Sequence, residues 1–577
     1  MAEARLGAIL AAVMWMDTSS LQAVRAYHRA SKHHTEVYAP GPAFLDWDAQ
    51  PEPFRLYVGA PTHPLPLVSG AGACSVDALY SAEMRTPQVL DAHSLGLFFE
   101  LTLGLSAWKS NGVERWALRN NPSSGNLHPT EGYLLLWRAV SPELPPGLYH
   151  YAPHEHALER RAILPEGVAA RLCTAHAGRF GALGLSSVIW REAWKYGARA
   201  YRYCQLDVGH ALAAARFSAR VLGWSLHASS TPDDATLAAC LGLDRHQDFV
   251  AGEEEHADLV ALLGEAAPQD AQADSAAPEL PWHDIAQALT DWTGAANQLS
   301  DEHIEWPQIT RLLPALHKDA ATPMPMPDYA PPQVREAEEK QDEAGDMDDA
   351  CTLIRQRRSA QRMDGESSLS RRDFERMLSR TLASAGKPPF DALPYPSAIQ
   401  LLLFVHAVDD LAPGIYALIR TADEGEAFRR ACTGDVLEWA PLPNAALPLY
   451  RLYAPLDLRS PAAQLSCRQG IAGRGAFSLG MLANLGGTLE TEGAWAYRRL
   501  YWEAGMIGQT LYLEAESVGL QGTGIGCFFD DEVHRLLGLD EEGDWQDIYH
   551  FTVGKGVSDA RLASEAAYAH LPASRSA

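Results

Sequence analysis

The feature that most constrains this chain is an internal duplication. The segment GARAYRYCQLDVGHALAAARFSARVLGW at 197–224 is similar to GAWAYRRLYWEAGMIGQTLYLEAESVGL at 493–520. The two segments align without a gap at an offset of 296 residues, which places Gly197 over Gly493. A repeat of this extent has the size of one globular unit, and 577 residues are too many for one hydrophobic core. We therefore expect two related domains.

A second pair of similar segments differs by a missing block. NPSSGNLHPTEGYLLL at 121–136 resembles YPSAIQLLL at 395–403. Pro122 aligns with Pro396 at an offset of 274, whereas the two leucine runs align at 267, and the difference of seven is the length of GNLHPTE. The second copy is predicted to lack this polar, turn-rich block and to keep the strand that follows it.

Periodicity predicts an α+β fold for each half. Apolar residues recur every three or four positions in the first repeat, which indicates one buried helix face: Val208, Leu212, Ala215, Ala219 and Leu222. The same face recurs in the second copy: Ala504, Ile507, Leu511, Ala515 and Val518. EGYLLLWRAV and GLYHYAPHEHALERRAI are typical of strands joined by turns.

The domain boundaries follow from composition. We predict a first domain over 1–264, a linker with a short helical segment over 265–346, and a second domain over 347–577. Proline, alanine and acidic residues dominate both ends of the linker. Its middle carries Trp282, Trp292 and Trp306 and is expected to pack on one of the halves. LGAILAAVMWM at 6–16 is interpreted as an N-terminal helix rather than a signal peptide.

Charge and cysteine usage exclude some classes of partner. A formal net charge of −26 argues against nucleic acid or an anionic membrane surface. The eight cysteines are scattered without a C-x-x-C motif, which indicates free thiols in a reducing compartment. No apolar run reaches the length of a membrane span. We therefore expect a cytoplasmic protein.

Three motifs are unequally distributed between the halves. The second half carries Arg357-Arg358-Ser359 at a predicted helix start, where guanidinium, hydroxyl and backbone N–H groups would suit a phosphate. It also carries GLQGTGIGCFF (519–529), whose glycines let the backbone approach a flat ligand closely. The first half alone has Lys195-Tyr196, replaced by Thr491-Glu492 in the second copy. Each motif alone also fits a solvated arginine pair, a plain turn or an exposed lysine, but their asymmetry favours a site.

A family resemblance emerges from several segments taken together. They are YHRASKHHTEVYAPGPAFLDW, NPSSGNLHPTEGY, GLYHYAPHEHALERR, KYGARAYRY and RRSAQRMDG. This set resembles the SagB/ThcOx-type dehydrogenases of the FMN-dependent nitroreductase superfamily, here in a tandem, two-domain form. The resemblance extends from about Tyr27 to Leu571. It implies tandem nitroreductase-like α+β domains that form an intramolecular pseudo-dimer.

The resemblance implies an FMN site built from both halves. From the second half, the phosphate would be held by Arg357, Arg358 and Ser359, with positive charge added by Lys555 or Arg561. Backbone N–H groups near flavin N5 and O4 would come from Ile525, Gly526 and Cys527. From the first half, the isoalloxazine and ribityl groups would be contacted by Pro122, Ser123, Ser124 and Asn126.

The losses in the two halves are complementary. One interface site would have the basic motif of the second half and the Pro-Ser-Ser loop of the first, whereas the other site would have neither. We therefore expect one FMN per chain. No metal site is expected, because the sequence has no H-E-x-x-H motif and His154-Glu155-His156 fits a turn between strands.

The leading interpretation is an FMN-dependent oxidoreductase that dehydrogenates a ring or a peptide-derived, azoline-type substrate. In azoline-oxidising relatives the Lys-Tyr pair acts as base, a role implied for Lys195 and Tyr196, with Arg191 and Arg199 as neighbours that would lower the pKa of the lysine. One alternative is an NAD(P)H-dependent nitro or quinone reductase. Another is a flavin-free pseudoenzyme in a biosynthetic complex. A monomeric pseudo-dimer or a higher oligomer fits each interpretation.

Overall fold

The structure is a computed structural model with side chains. It describes residues 19–68, 74–83, 85–265, 279–319, 349–435, 437–572 and 575. The helix predicted at 6–16 lies outside the described residues.

The strands, in chain order, are short to medium in length. They are β1 (Tyr57–Val58), β2 (Thr62–Pro64), β3 (Leu105–Ser110), β4 (Arg115–Arg119), β5 (Thr130–Leu136), β6 (Gly147–Ala152), β7 (Ala157–Ile163), β8 (Arg179–Val188), β9 (Trp224–Ala228), β10 (Glu255–Glu265), β11 (Ala295–Ala296), β12 (Ile399–Val405), β13 (Gly414–Leu418), β14 (Ala440–Pro441), β15 (Leu449–Tyr453), β16 (Phe477–Asn484), β17 (Gln521–Ile525), β18 (Trp545–Gly554) and β19 (Ala563–Ala566).

The helices include two long ones, α5 and α14. They are α1 (19–30), α2 (Ala92–Leu103), α3 (Glu166–Ala175), α4 (Ile189–Tyr196), α5 (Ala200–Val221), α6 (Asp234–Leu241), α7 (Trp282–Ala288), α8 (Pro307–Leu312), α9 (Ala350–Gln356), α10 (Arg371–Ser379), α11 (Ala422–Ala431), α12 (Arg459–Leu465), α13 (Leu485–Glu492), α14 (Ala496–Ser517) and α15 (Asp530–Leu537).

Two seven-stranded sheets repeat the same central topology. Their orders are β2-β7-β6-β5-β8-β10-β9 and β14-β15-β13-β12-β16-β18-β17. The segments of the first half that were predicted to form strands are β5, β6 and β7 in the structure. The two segments predicted to form helices are α5 and α14. Helix α14 begins and ends 296 residues after α5, at the offset found in the sequence. The mixed α+β class and the duplication are thus both present in the structure.

The register of the strands corrects the length of the missing block. Thr130 lies opposite Ser187 on β8, and Ile399 lies opposite Ala483 on β16. Because Ser187 and Ala483 are 296 residues apart, Thr130 and Ile399 are equivalent positions. The second half therefore lacks the five residues 125–129 rather than seven. Apolar runs still match apolar residues when shifted by two positions, whereas backbone pairing allows only one register.

The two long helices cross at a pair of glycines. A Cβ atom at Gly209 would collide with the carbonyl oxygen of Trp502, and one at Gly505 would collide with the carbonyl oxygen of Leu206. These two contacts are equivalent under the repeat, since each pair of positions is related by 296 residues. The crossing is therefore self-complementary, as in an isologous interface between identical subunits.

The ends of the chain are exchanged between the halves. His28, at the N-terminal helix α1, bonds Tyr497 and Gln546 of the second half at 3.2 and 3.1 Å. At the other end, β19 adds to β3 and β4 of the first half, with Ala563 opposite Ser110. Neither half therefore completes its own packing.

The tryptophan segment packs on the first half. Trp282 is buried, and its indole N–H donates to Thr231 at 3.0 Å. The Trp292 ring lies against Gly242, and the Trp306 ring lies against Gly197. The segment from Trp282 to Trp306 therefore lies against the first half. Within the described residues, no helix has both the length and the apolar character needed to cross a membrane.

We predict that Gly505→Ala destabilises the fold. Alanine favours a helix interior by about 0.5–1 kcal/mol over glycine. Overpacking a tight contact typically costs about 1–3 kcal/mol and involves backbone atoms that cannot move aside here. The expected net result is a lower free energy of unfolding, measured by chemical denaturation.

Gly470→Ala is the matched control, because a Cβ atom there would meet no atom within 4 Å. Equal stability of the two variants would contradict the close helix crossing.

Candidate active site

Both halves contribute to a continuous polar and aromatic region beside the crossing helices. The basic motif reaches it from the end of α9, because Arg357 follows the last turn and its N–H donates to the Leu353 carbonyl. The prediction that Arg357-Arg358-Ser359 begins a helix is therefore wrong. The motif offers side chains rather than a row of free helix N–H groups.

Arg357 is a buried guanidinium with spare donors. Its side chain lies over the Tyr512 ring at 4.9 Å, and Nη2 donates to the Arg119 carbonyl of the first half at 3.2 Å. Nε and Nη1 are buried, and no acceptor from the described part of the chain reaches them. Burial lowers the pKa of Arg357 from its usual value. A buried cation with two unused donors is a suitable partner for an anion.

The next two residues of the motif have different environments. Arg358 donates to the carbonyls of Arg355 and Arg357 and, through Nη2, to that of Ser106 in the first half. Its donors therefore tie the two halves together. Ser359 donates to the Tyr512 hydroxyl at 3.0 Å, and this hydroxyl also accepts from the Gly524 N–H at 2.9 Å. Ser359 thus lies between Arg357 and the glycine-rich strand.

The two other cations predicted near the phosphate, Lys555 and Arg561, differ in their distance from the Arg357 motif. Lys555 is exposed and donates to the Gly519 carbonyl at 2.8 Å. It influences the pKa of Glu516 together with Arg357 and Arg358, so it lies at the same end of the site. The side chain of Arg561 is 86% exposed and pairs with Asp559. Its hydrogen bonds to Asp559 tie Arg561 to the surface loop and not to the Arg357 cluster.

The glycine-rich segment forms strand β17 and the residues that follow it. A Cβ atom at Gly524 would collide with the Tyr549 hydroxyl, and one at Gly526 would collide with the Tyr203 ring. The flat groups that approach this backbone are thus aromatic rings from both halves. Ile525 is buried between the two glycines.

The carbonyl groups after β17 are both held by side chains. Arg199 donates to the Gly526 carbonyl from Nε and Nη2 at 3.2 and 3.0 Å. Gln469 donates to the Cys527 carbonyl at 2.9 Å. These bonds hold the orientation of the peptide groups over Ile525–Cys527.

The Pro-Ser-Ser loop has left-handed backbone in the block that the second half lacks. Gly125, Asn126 and His128 have φ values of 61°, 61° and 52°. The Asn126 amide donates to the Ala117 carbonyl at 2.8 Å, so this side chain shapes the loop. The Ser123 hydroxyl accepts from the His128 N–H at 2.8 Å. Pro122, Ser123 and Ser124 are half-buried at the turn.

The Lys-Tyr pair lies against this same loop. A Cβ atom at Gly125 would lie 2.6 Å from the Tyr196 hydroxyl and 3.1 Å from Lys195 Nζ. Lys195 is half-buried near the end of α4. The extra block and the Lys-Tyr pair are thus in contact, and the second half lacks both. Arg191 and Arg199, expected beside the lysine, are instead paired with Glu131 and Asp530.

Two buried carboxyl groups, which sequence reasoning missed, lie under the loop. The Ser124 N–H donates to Asp207 Oδ1 at 3.3 Å, and the Ser123 hydroxyl donates to Glu192 Oε1 at 3.4 Å. Asp207 Oδ2 and Glu192 Oε2 are buried without a partner among the described residues. Burial raises the pKa of Asp207 to about 8. Burial and the charge of Asp207 also raise the pKa of Glu192, whereas the charge of Lys195 acts to lower it.

The second half has an ion pair at the equivalent position. Glu503 aligns with Asp207 at the offset of 296 and accepts from the Ala398 N–H at 2.9 Å, as Asp207 does from Ser124. However, Glu503 is paired with the guanidinium of Arg420, whereas Asp207 lies near another carboxyl group, that of Glu192. The aligned pair Asp207/Glu503 was visible in the sequence, but the contrast in partners was not.

We predict that Asp207→Asn changes the pH dependence of stability. The folded chain keeps a proton on Asp207 that the unfolded chain releases, so wild-type stability falls as pH rises from about 4 to about 8. The slope for one proton is at most about 1.4 kcal/mol per pH unit. Asparagine removes this pH dependence. Denaturant unfolding should therefore show that the free energy of unfolding of the variant rises relative to that of the wild type as the pH increases across this interval.

Asp559→Asn serves as the control. Hydrogen bonds from Arg561 lower the pKa of Asp559, which therefore stays ionised across the interval. Its replacement should leave the slope between pH 5 and pH 8 unchanged. A wild-type slope in Asp207→Asn would show that Asp207 does not hold the proton.

Comparisons with known proteins agree with the fold. Residues 354–555 match the Nitroreductase family. A candidate nitroreductase from Anabaena variabilis ATCC 29413 has a similar structure, with a TM-score of 0.65 and 22% identity, over 93% of this chain and 99% of that one. No protein with a curated description matches the chain.

Two further structures align only locally. One is a candidate nitroreductase from Ralstonia eutropha JMP134, with 18% identity over 36% of this chain and 82% of that one and a TM-score of 0.24. The other is the Escherichia coli microcin synthetase McbBCD complex with truncated pro-MccB17, with 18% identity over 33% and 67% and a TM-score of 0.23. These local likenesses are too weak to bear on function. The chain thus has a nitroreductase-like fold over most of its length, and its residues 354–555 are similar to the Nitroreductase family.

Proposed function

We propose that this chain is an FMN-dependent oxidoreductase with one flavin site between its halves. The observation that carries the proposal is the buried Arg357 guanidinium, whose Nε and Nη1 reach no acceptor of the described chain. Arg357 comes from the second half and donates to the carbonyl of Arg119, three residues before Pro122 of the first half. The phosphate of FMN would supply the missing acceptor.

Residues of both halves would hold the cofactor. Arg357 and Ser359 would bind the phosphate, with Lys555 nearby, and the exposed Arg561 has no part in this proposal. The peptide groups of Ile525–Cys527 and the loop with Pro122, Ser123, Ser124 and Asn126 would border the flavin ring. Bound FMN would act as a two-electron hydride acceptor or donor. The halves would then act as a pseudo-dimer with one complete site, in the tandem SagB/ThcOx-type arrangement.

The residues beside the loop would handle the proton. Lys195 Nζ would take a proton from the substrate, and the Tyr196 hydroxyl would position the reacting group. Glu192 lies on the same helix, one turn before Lys195, and its Oε2 has no partner in the described chain. With one proton held on Asp207, the other member of the buried pair, Glu192, would receive the proton from the lysine as a carboxylate.

This arrangement favours dehydrogenation over simple reduction. Removal of a hydride and a proton from neighbouring atoms of a ring requires a base, whereas hydride transfer to a nitro or quinone acceptor does not. The base, the extra loop and the carboxyl pair occur together in one half only. We therefore propose a small-molecule or peptide-derived ring of the azoline type as substrate.

We predict that the purified chain binds one FMN and that Arg357→Ala loses most of it. A hydrogen bond to a charged group is worth about 1.5–3 kcal/mol, which corresponds to a loss of affinity of roughly tenfold or more. The measurement is the ratio of flavin released on denaturation to protein, together with the dissociation constant for added FMN.

Arg561→Ala is the control, since it removes an exposed arginine of the same half. It should keep the flavin ratio of the wild type. A ratio near two in the wild type would contradict a single site. A wild-type protein that binds no FMN would support the pseudoenzyme alternative, and equal loss in both variants would place the phosphate elsewhere.

We predict that Lys195→Ala keeps the flavin and the fold but loses substrate oxidation. Removal of a general base typically costs about 10²- to 10⁴-fold in rate. Reduction of a quinone by NAD(P)H should change far less, because that reaction needs no base. Both rates and the flavin occupancy are measured on one preparation. Oxidation at the wild-type rate would favour the reductase alternative.

A further inference from the structure

Two cysteines of the second half face each other beside the proposed flavin site. The segments that carry them are held together by two hydrogen bonds, from the Phe529 N–H to the Leu465 carbonyl at 2.8 Å and from Gln469 to the Cys527 carbonyl at 2.9 Å. These bonds place Cys467 across from Cys527, so that each thiol shifts the pKa of the other. Both cysteines are half-buried.

The backbone at Cys467 is shaped for this contact. Cys467 and Arg468 have φ values of 51° and 61°, which non-glycine residues rarely adopt. The helix α12 ends two residues earlier, so the left-handed turn directs the chain back toward 527–529. A strained conformation at a reactive residue is retained when its surroundings hold it in place.

Two basic side chains, those of His33 and Arg199, lie beside the Cys527 thiol. The Arg199 guanidinium is held on the neighbouring Gly526 carbonyl. The neighbouring Cys467 thiol lowers the pKa of Cys527 to about 5, with His33 and Arg199 acting in the same direction and burial opposing. The pKa of Cys467 is raised. Cys527 is therefore the thiolate and Cys467 the thiol of the pair.

An exposed aromatic ring, that of Tyr38, lies beside the pair. This ring is 46% exposed and contacts His33 and Phe529, with centroid distances of 4.9 and 5.8 Å. Four other cysteines are buried, and Cys173 and Cys432 are half-buried with a pKa raised by burial, to about 12 for Cys432. The Cys467/Cys527 pair thus combines a thiolate, a second thiol and incomplete burial.

We propose that Cys467 and Cys527 are a redox-active dithiol that reduces low-molecular-weight disulfides and closes into a Cys467–Cys527 disulfide. The Cys527 thiolate would attack one sulfur of the disulfide, whose other sulfur leaves as a thiolate and takes up a proton. The Cys467 sulfur would lose its proton and attack Cys527, which releases the second thiolate. Two protein thiols are oxidised, and one disulfide becomes two thiols.

This activity is separate from the proposed flavin site. The flavin would use the backbone of Ile525–Cys527, whereas the thiol reaction uses only the sulfur atoms. A failure of one proposal therefore leaves the other standing.

The test uses the full chain treated with oxidised glutathione near neutral pH. Samples are quenched in acid, alkylated and analysed by peptide mass spectrometry. The wild type should form a linked peptide pair that contains Cys467 and Cys527, with release of two equivalents of glutathione. Cys527 should react about tenfold or more faster than Cys432, because thiolate attacks and thiol does not.

The variants separate the two steps. Cys467→Ser should stop at a glutathione adduct on Cys527, and Cys527→Ser should leave Cys467 unmodified. Cys432→Ser is the control and should behave as wild type. Failure of the linked pair to form, or modification of Cys173 and Cys432 at the same rate as Cys527, would overturn the proposal.

Discussion

The close crossing of α5 and α14 is the contact on which the rest of the structure depends. Gly209 and Gly505 bring the two helix backbones together, and each helix carries residues for a region used by both halves. Asp207 extends from α5, and Tyr512 extends from α14. Protein interiors are close-packed. A displacement of the two helices by the width of one side chain would therefore separate Arg357 from the first half.

A nearly symmetric frame supports an asymmetric site. Asp207 and Glu503 accept hydrogen bonds from backbone N–H groups at equivalent positions of the repeat. However, Asp207 lies near another carboxyl group, whereas Glu503 pairs with an arginine. In a dimer of identical subunits, every substitution appears at both sites. In one continuous chain, each position changes alone, so Lys195 and Thr491 can diverge without cost to the shared helix crossing.

The local sequence pattern predicted the secondary-structure elements well, but it predicted the tertiary contacts between them poorly. The offset of 296 and the apolar spacing predicted α5 and α14 because helix periodicity is a property of neighbouring residues. The leucine run misled the alignment near Thr130, since register depends on partner strands rather than on composition. The end of α9 before Arg357, the pairing of Glu192 with Asp207 and the rings against Gly524 and Gly526 all arise from tertiary packing between distant segments. No local signal marks them.

The exchanged ends have a consequence for how the chain tolerates damage. α1 completes the second half and β19 completes the first, so loss of order in either half exposes apolar surface on the other. The halves should therefore unfold as one cooperative unit, and neither should survive as a fragment. A chain truncated after the first repeat should therefore expose apolar surface and aggregate.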